Sequence, residues 1–210
     1  MNQNLKLIRN SCGQILPLMD SFTTIQGEGF HSGRSAHFLR IGGCDIGCHW
    51  CDIKESWDSD LYPSVKIENI IETINPLTDL VIISGGEPLI WNMSPLTVAL
   101  KKMNKKVHLE TSGAYELTGY WDWICLSPKK NKPPIIEMLK KANELKVIIY
   151  NKHDLLFAKN NAKYVEKNCV LFLQPEWSSK EEVMPLISKF ILENPNWRVS
   201  IQTHKYLGIK

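Results

Sequence analysis

The chain lacks long hydrophobic runs and any large excess of charge. No apolar segment approaches the roughly 18 residues that a membrane-spanning helix needs, and residues 1–6 lack the apolar core of a secretory signal peptide. We therefore expect a cytoplasmic protein without a membrane partner. The formal net charge of +3 is far below the basic excess of proteins that bind nucleic acids, so no nucleic-acid partner is expected.

Internal repeats, low-complexity stretches and Gly/Ser-rich linkers are also missing. The chain has 210 residues, of which 43% are hydrophobic, and this is enough for one sizeable core. Since nothing in the composition marks a boundary, we expect residues 1–210 to form a single domain.

Short apolar runs rich in β-branched residues predict the strands of the fold. They are residues 36–41, 80–84, 107–111, 124–127, 146–150, 170–174 and 199–203. Little alternation of polar and apolar residues is typical of strands that are covered on both faces of a parallel sheet. Helical patterns lie between several strands, and Ser64 and Asp154 are the predicted caps of two of these helices.

Strand–helix alternation indicates an α/β fold with a parallel sheet. Some connections, such as residues 111–124, are too short for a full crossover helix. We therefore expect an incomplete parallel β/α barrel with about six core strands rather than a closed barrel of eight.

Distinctive polar motifs follow the predicted strands at the point where each strand ends. They are Ser84-Gly85-Gly86-Glu87-Pro88, Glu110-Thr111-Ser112-Gly113, Ser127-Pro128-Lys129, Gln174-Pro175-Glu176 and Gln202-Thr203-His204. In barrel-like α/β folds the carboxyl ends of the strands line the active site. The motifs therefore predict one large site at this rim.

Three of the six cysteines, Cys44, Cys48 and Cys51, form a C-x3-C-x2-C loop. Complete cysteine ligation of a [4Fe–4S] cluster takes four thiolates, so three would leave one iron free to bind another group. Zinc is the alternative, but structural zinc sites usually take four ligands. The chain has no second C-x2-C pair, and His49 lies inside the existing one. The donor set favours an iron–sulfur cluster, and disulfides are not expected in a reducing cytosol.

The cysteine loop, with Trp50 before its last cysteine, and Gly85-Gly86-Glu87-Pro88 after a strand resemble two motifs of the radical S-adenosylmethionine (SAM) superfamily. The resemblance implies that the free iron chelates the amino and carboxylate groups of SAM, and that the backbone of the second motif helps to hold the amino group. Further segments resemble one family within it, that of 7-carboxy-7-deazaguanine synthase. These segments are residues 22–29, 33–34, 38–40, 110–113, 127–129, 143–147, 174–175 and 197–210.

That family converts 6-carboxy-5,6,7,8-tetrahydropterin to 7-carboxy-7-deazaguanine with loss of ammonia, in the pathway to deazapurines such as queuosine in tRNA. The resemblance implies a carbon–nitrogen lyase in which the reduced cluster cleaves SAM and the resulting 5′-deoxyadenosyl radical takes a hydrogen from C6 of the pterin. It also implies a homodimer and a flavodoxin or ferredoxin as electron donor. The protein would place and shield the reactants while its cofactors carry the chemistry.

The resemblance assigns site residues position by position. The cluster ligands are Cys44, Cys48 and Cys51. The SAM-binding positions are Trp50, Gly85, Gly86, Glu87, Thr111, Ser127, Pro128, Lys129, Gln174, Pro175, Glu176 and Trp177. The substrate-binding positions are Ile25, Gln26, Gly27, Glu28, Arg40, Ser84, His204 and Lys210. The guanidinium of Arg40 would pair with the substrate carboxylate, and Lys210, as the final residue, would contribute its free α-carboxylate. A surface ion pair for Arg40 and simple packing for Trp50 and His204 remain the alternatives.

One position departs from the family. Its members usually have Thr or Ser two places after the last cysteine, where the hydroxyl helps to bind Mg²⁺ beside the substrate carboxylate, whereas this chain has Ile53. An isoleucine cannot ligate a hard cation, which takes oxygen ligands. Either Mg²⁺ is held by substrate, water and Asp52, or the protein depends on it less.

Two other functions are alternatives to the lyase. A glycyl-radical activase of the same superfamily would share the cysteine loop but would not explain Gln26, Arg40 or the Gln202-Thr203-His204 ending. A non-catalytic iron–sulfur or zinc module would leave the strand-end motifs unexplained.

Overall fold

The computed structural model describes residues 12–210, and its strands all belong to one nine-stranded sheet. The strands are β1 (Ile15–Ile25), β2 (Ser35–Ile41), β3 (Ser64–Lys66), β4 (Leu80–Gly85), β5 (Lys106–Thr111), β6 (Trp123–Leu126), β7 (Glu144–Ile149), β8 (Val170–Pro175) and β9 (Trp197–Val199). Their order across the sheet is β3-β1-β2-β4-β5-β6-β7-β8-β9.

Neighbouring strands from β2 to β9 are parallel, and β1 runs antiparallel to both β2 and β3. The sheet has two free edges, β3 and β9, so the barrel is not closed. The predicted incomplete β/α barrel is confirmed, with the six predicted core strands at β2 and β4 to β8. Residues 112–122, between β5 and β6, contain no helix, as their length predicts.

The helices are α1 (Ile67–Glu72), α2 (Ser94–Lys102), α3 (Ile136–Lys141), α4 (His153–Ala162), α5 (Lys180–Glu193) and α6 (Thr203–Leu207). Both predicted caps are wrong. Ser64 belongs to β3 and the cap position of α1 is Lys66. Asp154 lies inside the first turn of α4, where its carboxylate accepts hydrogen bonds of 2.8 Å from the backbone N–H groups of Tyr150 and Asn151. Within residues 12–210, no helix has the length and apolar character to cross a bilayer.

The last predicted strand is also wrong. The strand there, β9, ends at Val199, and Thr203 begins the short helix α6. The backbone N–H of Thr203 donates to the carbonyl of Gly27 at 2.9 Å, so a contact with the segment after β1 directs this part of the chain away from the sheet.

The two faces of the sheet differ in chemistry because successive side chains of a strand point to opposite sides. In β4, Val81 and Ile83 pack in the main hydrophobic core, together with Ile70 of α1 and Leu96 of α2. Each fully buried Leu or Ile contributes about 1.5–3 kcal/mol to this packing. The helices therefore cover the outer face of the sheet.

The inner face carries polar side chains near the carboxyl ends of the strands. They are Arg40 of β2, Ser84 of β4, Glu110 of β5, Lys146 of β7 and Gln174 of β8. The alternate residues of the same strands, such as Leu39 and Leu109, lie in the core. Successive residues of each strand thus alternate between positions that pack in the hydrophobic core and positions that face the interior of the barrel.

Candidate active site

The inner face opens at the carboxyl ends of the strands into a cavity of about 280 Å³. The proposed site residues that line it are Ile25, Gln26, Gly27, Glu28, Arg40, Cys44, Cys48, Trp50, Cys51, Asp52, Ile53, Ser84, Gly85, Gly86, Glu87, Thr111, Ser127, Lys129, Gln174, Pro175, Glu176, Trp177, His204 and Lys210. The exception is Pro128, which is buried after β6 and does not line the cavity. The strand-end motifs therefore form one site, as the sequence predicts.

The cysteine loop begins where β2 ends and is held by backbone hydrogen bonds to the short helical segment Lys54–Trp57 that follows it. The N–H of Gly43 donates to the carbonyl of Ser56 at 2.7 Å, and the N–H of Cys44 donates to the carbonyl of Trp57 at 3.1 Å. A third bond, from Cys51 N–H to the Cys48 carbonyl, is 3.1 Å long. The loop is thereby folded back so that all three thiols reach the cavity wall.

The three thiols fit an iron–sulfur cluster in type and placement. Each belongs to a half-buried, unbridged cysteine that lines the same cavity. Across residues 12–210, no three His, Cys, Asp or Glu side chains are grouped closely enough for a single metal ion; a four-iron cluster does not need such a group, because each thiolate binds a different iron. Burial raises the pKa of the Cys44 thiol to about 12, so this thiol must lose a proton when iron binds.

The Gly-Gly-Glu-Pro segment is bonded directly to the cysteine loop. The N–H of Gly86 donates to the carbonyl of Ile41 and the N–H of Glu87 donates to the carbonyl of Gly43, each at 2.9 Å. A Cβ atom on Gly86 would lie 2.3 Å from the Gly43 oxygen. Glycine is required here because only its backbone can approach so closely.

The Glu87 side chain is 1% exposed, and its hydrogen-bonding capacity is taken up by the protein. Its carboxylate accepts from the Thr111 hydroxyl at 2.6 Å, from Ser112 N–H at 2.7 Å and from Leu89 N–H at 3.1 Å, and also from the Ser112 hydroxyl. The side chains of Glu87 and Thr111 therefore fix the ends of β4 and β5 to each other and shape the cavity wall from behind.

Lys129 lies beside the cysteine loop as a half-buried cation. Its ammonium donates to both the carbonyl and the hydroxyl of Ser127 at 2.7 Å, and it lies 5.5 Å from the centre of the Trp50 ring. Burial lowers the pKa of Lys129. The motif after β6 thus places a positive charge near the cysteines, which suits a ligand with an anionic group.

The motif after β8 is fixed by its own polar side chains. The Gln174 amide oxygen accepts from the Ser200 hydroxyl at 2.7 Å, and the Glu176 carboxylate accepts from the N–H groups of Ser178 and Ser179 at 3.0 and 3.1 Å. The ring of Trp177 packs edge-on to Tyr206 of α6, with centroids 5.3 Å apart. Helix α6 is therefore held at the rim of the cavity by an aromatic contact.

The segment after β1 forms the opposite wall. The Gln26 amide donates to Glu110 Oε1 at 2.9 Å and accepts from the backbone N–H of Glu28 at 3.1 Å. A Cβ atom on Gly27 would lie 2.1 Å from Nδ1 of His204. This close approach, which only glycine permits, brings His204 to the cavity.

Arg40 and Lys210 lie at the same aromatic ring. The Arg40 guanidinium carbon is 5.1 Å and the Lys210 ammonium 4.5 Å from the centre of the Phe22 ring. Lys210 forms an ion pair with Asp20, whereas in residues 12–210 no carboxylate pairs with Arg40. Arg40 therefore does not form the surface ion pair, and the charge of its guanidinium group remains available to a ligand.

The position that usually carries a magnesium ligand is apolar. Ile53 lines the cavity, and its carbonyl accepts from the N–H and the hydroxyl of Ser56 at 3.0 and 2.6 Å. The neighbouring Asp52 carboxylate pairs with the Lys205 ammonium at 3.2 Å. These side chains do not fit a protein-held magnesium ion.

Three polar residues of the cavity, Glu110, Lys146 and Gln202, have no assigned role in the sequence analysis, although Glu110 and Gln202 belong to the strand-end motifs that predict the site. Lys146 forms an ion pair with Glu28, whose other oxygen accepts from the Gln202 amide at 2.8 Å. Burial alone would raise the pKa of Glu28, but the charge and hydrogen bond of Lys146 lower it to about 2. The available signal was a polar residue at every second position within an apolar run, as at His108 and Glu110.

Known proteins similar to this chain share its length and its fold. A 7-carboxy-7-deazaguanine synthase from Flavobacterium psychrophilum is 58% identical over 197 residues, which cover 94% of this chain and 94% of that protein. Proteins of the same name from Synechocystis sp. and Escherichia coli K12 are 43% and 32% identical, covering 92% of this chain and 93% and 98% of their own lengths.

The crystal structure of QueE from Escherichia coli matches with a TM-score of 0.81 at 28% identity, covering 96% of this chain and 99% of that one. The sequence profile of the radical SAM superfamily matches residues 39–150, which include the cysteine loop and the Gly-Gly-Glu-Pro segment. This chain belongs to the 7-carboxy-7-deazaguanine synthase family of the radical SAM superfamily.

Proposed function

We propose that this protein converts 6-carboxy-5,6,7,8-tetrahydropterin to 7-carboxy-7-deazaguanine with loss of ammonia, a lyase reaction that serves queuosine biosynthesis. The observation that carries the proposal is the shared cavity. The three cysteines line the same cavity as Gln26, Glu28 and Arg40, which suit a carboxylated pterin. An enzyme of this family needs these two sets of groups side by side.

The cysteine side of the cavity would hold the cofactors. Cys44, Cys48 and Cys51 would ligate a [4Fe–4S] cluster, and the walls formed by Gly86, Lys129 and the other SAM-binding positions would hold SAM. When bound, these groups supply the radical that starts the reaction. The half-buried ammonium of Lys129 would provide a positively charged partner for a carboxylate.

The opposite wall would hold the pterin. A pterin edge presents both N–H donors and acceptors, and an amide such as Gln26 offers both in return. The ionised Glu28 carboxylate would accept from ring N–H groups, and His204 and Ser84 lie on the same cavity wall. The unpaired Arg40 guanidinium would bind the substrate carboxylate through its two parallel donors.

Apolar side chains also line the cavity. Phe22, Phe38, Trp50 and Trp57 all line it. Such a lining excludes water and protects a reactive intermediate from side reactions. The protein's own contribution is therefore to orient both ligands and to keep their meeting point dry.

We propose further that this protein depends on Mg²⁺ less than the family pattern implies. Ile53 offers no oxygen ligand from its side chain, and the Asp52 carboxylate is paired with Lys205. The positive charge beside the substrate carboxylate would come from Arg40.

The remaining assignments rest on the family. They are a homodimer, reduction by a flavodoxin or ferredoxin, a cytoplasmic location and a single radical SAM domain. The continuous nine-stranded sheet supports the last of these.

Anaerobic reconstitution of the cluster, followed by addition of dithionite and SAM with and without the carboxylated pterin, tests the proposal. Formation of 5′-deoxyadenosine and product in the presence of the pterin is expected. SAM cleavage that ignores the pterin but produces a glycyl radical on a partner protein would identify an activase instead. Absence of SAM cleavage under all conditions would contradict both enzymes.

A further inference from the structure

Lys146 is a buried lysine on the inner face of β7, and the assigned cluster, SAM and substrate positions do not include it. Its side chain is 5% exposed, and it lines the active-site cavity. Its two strand neighbours, Leu145 and Val147, point the other way into the hydrophobic core. An ammonium is taken out of water only at a high cost unless it is paired, so its partners reveal what it does.

Three carboxylates and one thiol face this ammonium from different elements. They are Glu28 from the segment after β1, Glu110 from β5, Glu144 from β7 itself and Cys125 from β6. Of these, only Glu28 is joined to it in an ion pair. Lys146 therefore selects one carboxylate among three.

Glu28, the selected carboxylate, is the one that faces the active-site cavity and can still accept hydrogen bonds from a ligand there. One oxygen of Glu28 is held by Lys146 and the other accepts from Gln202 at 2.8 Å, which fixes the plane of the group. Glu28 lines the active-site cavity. By contrast, Glu144 lines only a small inner cavity, where it accepts from the Trp123 indole N–H at 3.1 Å.

We infer that Lys146 is a positioning residue for the substrate: it keeps Glu28 ionised and oriented so that Glu28 accepts hydrogen bonds from N–H groups of the pterin ring. This inference rests on the proposed function, because it assumes that the carboxylated pterin occupies this wall. The pKa of Glu28, held at about 2 by the Lys146 charge against the effect of burial, agrees with the geometry.

A positioning role for Lys146 predicts a pH dependence of pterin affinity that a purely structural role would not produce. In the wild type, Glu28 is ionised throughout the range from pH 6 to 9, so pterin affinity should not depend on its titration. In Lys146→Met, burial is opposed only by the Gln202 hydrogen bond and by His204, so the pKa of Glu28 rises. Pterin affinity should then be weak at pH 6 and improve as the pH rises, because only the ionised Glu28 carboxylate can accept hydrogen bonds from the pterin N–H groups with both of its oxygens.

Other groups near Glu28 also titrate and must be separated from it. They are His204, Glu110, Glu144, Cys125 and Lys129, together with the pterin itself. Removing Lys146 also changes the electrostatics of Glu144, Cys125 and Lys129. A pH dependence that appears in Lys146→Met and is absent from Glu28→Gln/Lys146→Met therefore belongs to Glu28. Glu144→Gln is the matched control, since it removes a buried carboxylate near Lys146 that does not line the active-site cavity.

The experiment titrates 6-carboxy-5,6,7,8-tetrahydropterin into the cluster-loaded, SAM-bound enzyme by anaerobic calorimetry, with no reductant so that no turnover occurs. Lys146→Met should weaken pterin binding by about tenfold or more at pH 6.5, with a gap that narrows toward pH 9. Lys146→Arg should restore binding, and SAM affinity should stay unchanged in both variants.

A comparison of Glu28→Gln with Glu28→Gln/Lys146→Met covers the case in which Lys146→Met fails to fold, because the double variant removes both charges of the ion pair and leaves the net charge unchanged. The second substitution should add no further loss to the first. An additive loss, or a Lys146→Met enzyme with wild-type affinity and pH profile, would overturn the inference. A wild type that does not bind the pterin would instead contradict the proposed function.

Discussion

The hydroxyl of Thr111 donates a hydrogen bond of 2.6 Å to Oε1 of Glu87, and this bond joins the carboxyl ends of β4 and β5 behind the cavity. The side chain of Glu87, the acidic residue of the Gly-Gly-Glu-Pro motif, thus stabilises the cavity wall from behind through its hydrogen bonds to the protein. Its neighbour Gly86 makes the other connection, through the backbone, to Ile41 at the start of the cysteine loop. The Gly-Gly-Glu-Pro motif therefore ties the end of β4 to the cysteine loop, and in the proposed function it would couple the position of SAM to that of the cluster.

Replacing Glu87 by Gln should destabilise the protein even though the shape of the side chain is kept. One acceptor oxygen becomes an NH₂ group that faces the donors of Thr111, Ser112 and Leu89. A loss of about 1–3 kcal/mol in the free energy of unfolding is expected, measured by urea denaturation of the metal-free protein. Glu116→Gln, at an exposed position, should have no effect. Equal stability of the two variants would contradict the role of Glu87.

Two glycine substitutions should separate the two halves of the site. In Gly86→Ala the new Cβ would lie 2.3 Å from the Gly43 carbonyl and should displace the cysteine loop. In Gly27→Ala it would lie 2.1 Å from His204 and should displace the pterin wall. We expect lower iron content and SAM affinity in the first variant, and weaker pterin binding with normal iron content in the second. The opposite pattern would show that the two walls are misassigned.

Magnesium should have little effect on the wild-type enzyme. After removal of Mg²⁺ by dialysis, pterin affinity and turnover should change by less than about twofold, because neither Ile53 nor the paired Asp52 carboxylate holds the ion. Ile53→Thr supplies a hydroxyl and should make pterin binding respond to Mg²⁺. A strong requirement in the wild type that Asp52→Ala abolishes would instead show that Asp52 is a ligand.

His108 should make the protein less stable in acid. Burial, aided by His31 and Arg34, lowers its pKa to about 3 from the usual 6.5. Below pH 6.5 the unfolded chain takes up a proton at this residue that the folded chain does not, so stability falls with pH until about pH 3. Between pH 7.5 and 4.5 this effect amounts to about 2–3 kcal/mol.

Urea denaturation at both pH values measures that effect. His108→Gln should remove this part of the loss, and His153→Gln, on the exposed face of α4, should retain it. If His108→Gln lost as much stability in acid as the wild type, the buried neutral histidine would not be the cause.

The cysteine loop, the six core strands and the rim of motifs could be predicted because each is encoded in a few consecutive residues. Cys44, Cys48 and Cys51 lie on one loop, and the carboxyl ends of parallel strands meet at one edge whatever their order. Local pattern predicted the shared rim, and the family resemblance assigned the individual residues, nearly all of which line a single cavity.

The contacts behind the cavity could not be predicted in this way. Glu28 and Lys146 are 118 residues apart, and only the pairing of strands brings them together. The strand predicted at residues 199–203 extends beyond the end of β9 to the first residue of α6, because the contact between Thr203 and Gly27 turns the chain away from the sheet. The sequence predicts a helix cap at Ser64, but pairing with Pro17 across β1 and β3 places this residue in a strand. That pairing, too, joins residues far apart in the chain.

The measurement that tests the central claim most directly is the mass-spectrometric detection of 7-carboxy-7-deazaguanine together with the ammonia released. The reconstituted enzyme is given reductant, SAM and 6-carboxy-5,6,7,8-tetrahydropterin under anaerobic conditions, with Cys48→Ala as the inactive control and Cys12→Ser, at an exposed cysteine outside the loop, as the matched active one. We predict that the wild type and Cys12→Ser form product and ammonia in equal amounts and that Cys48→Ala forms neither. SAM cleavage by the wild type without any deazaguanine product would contradict the account.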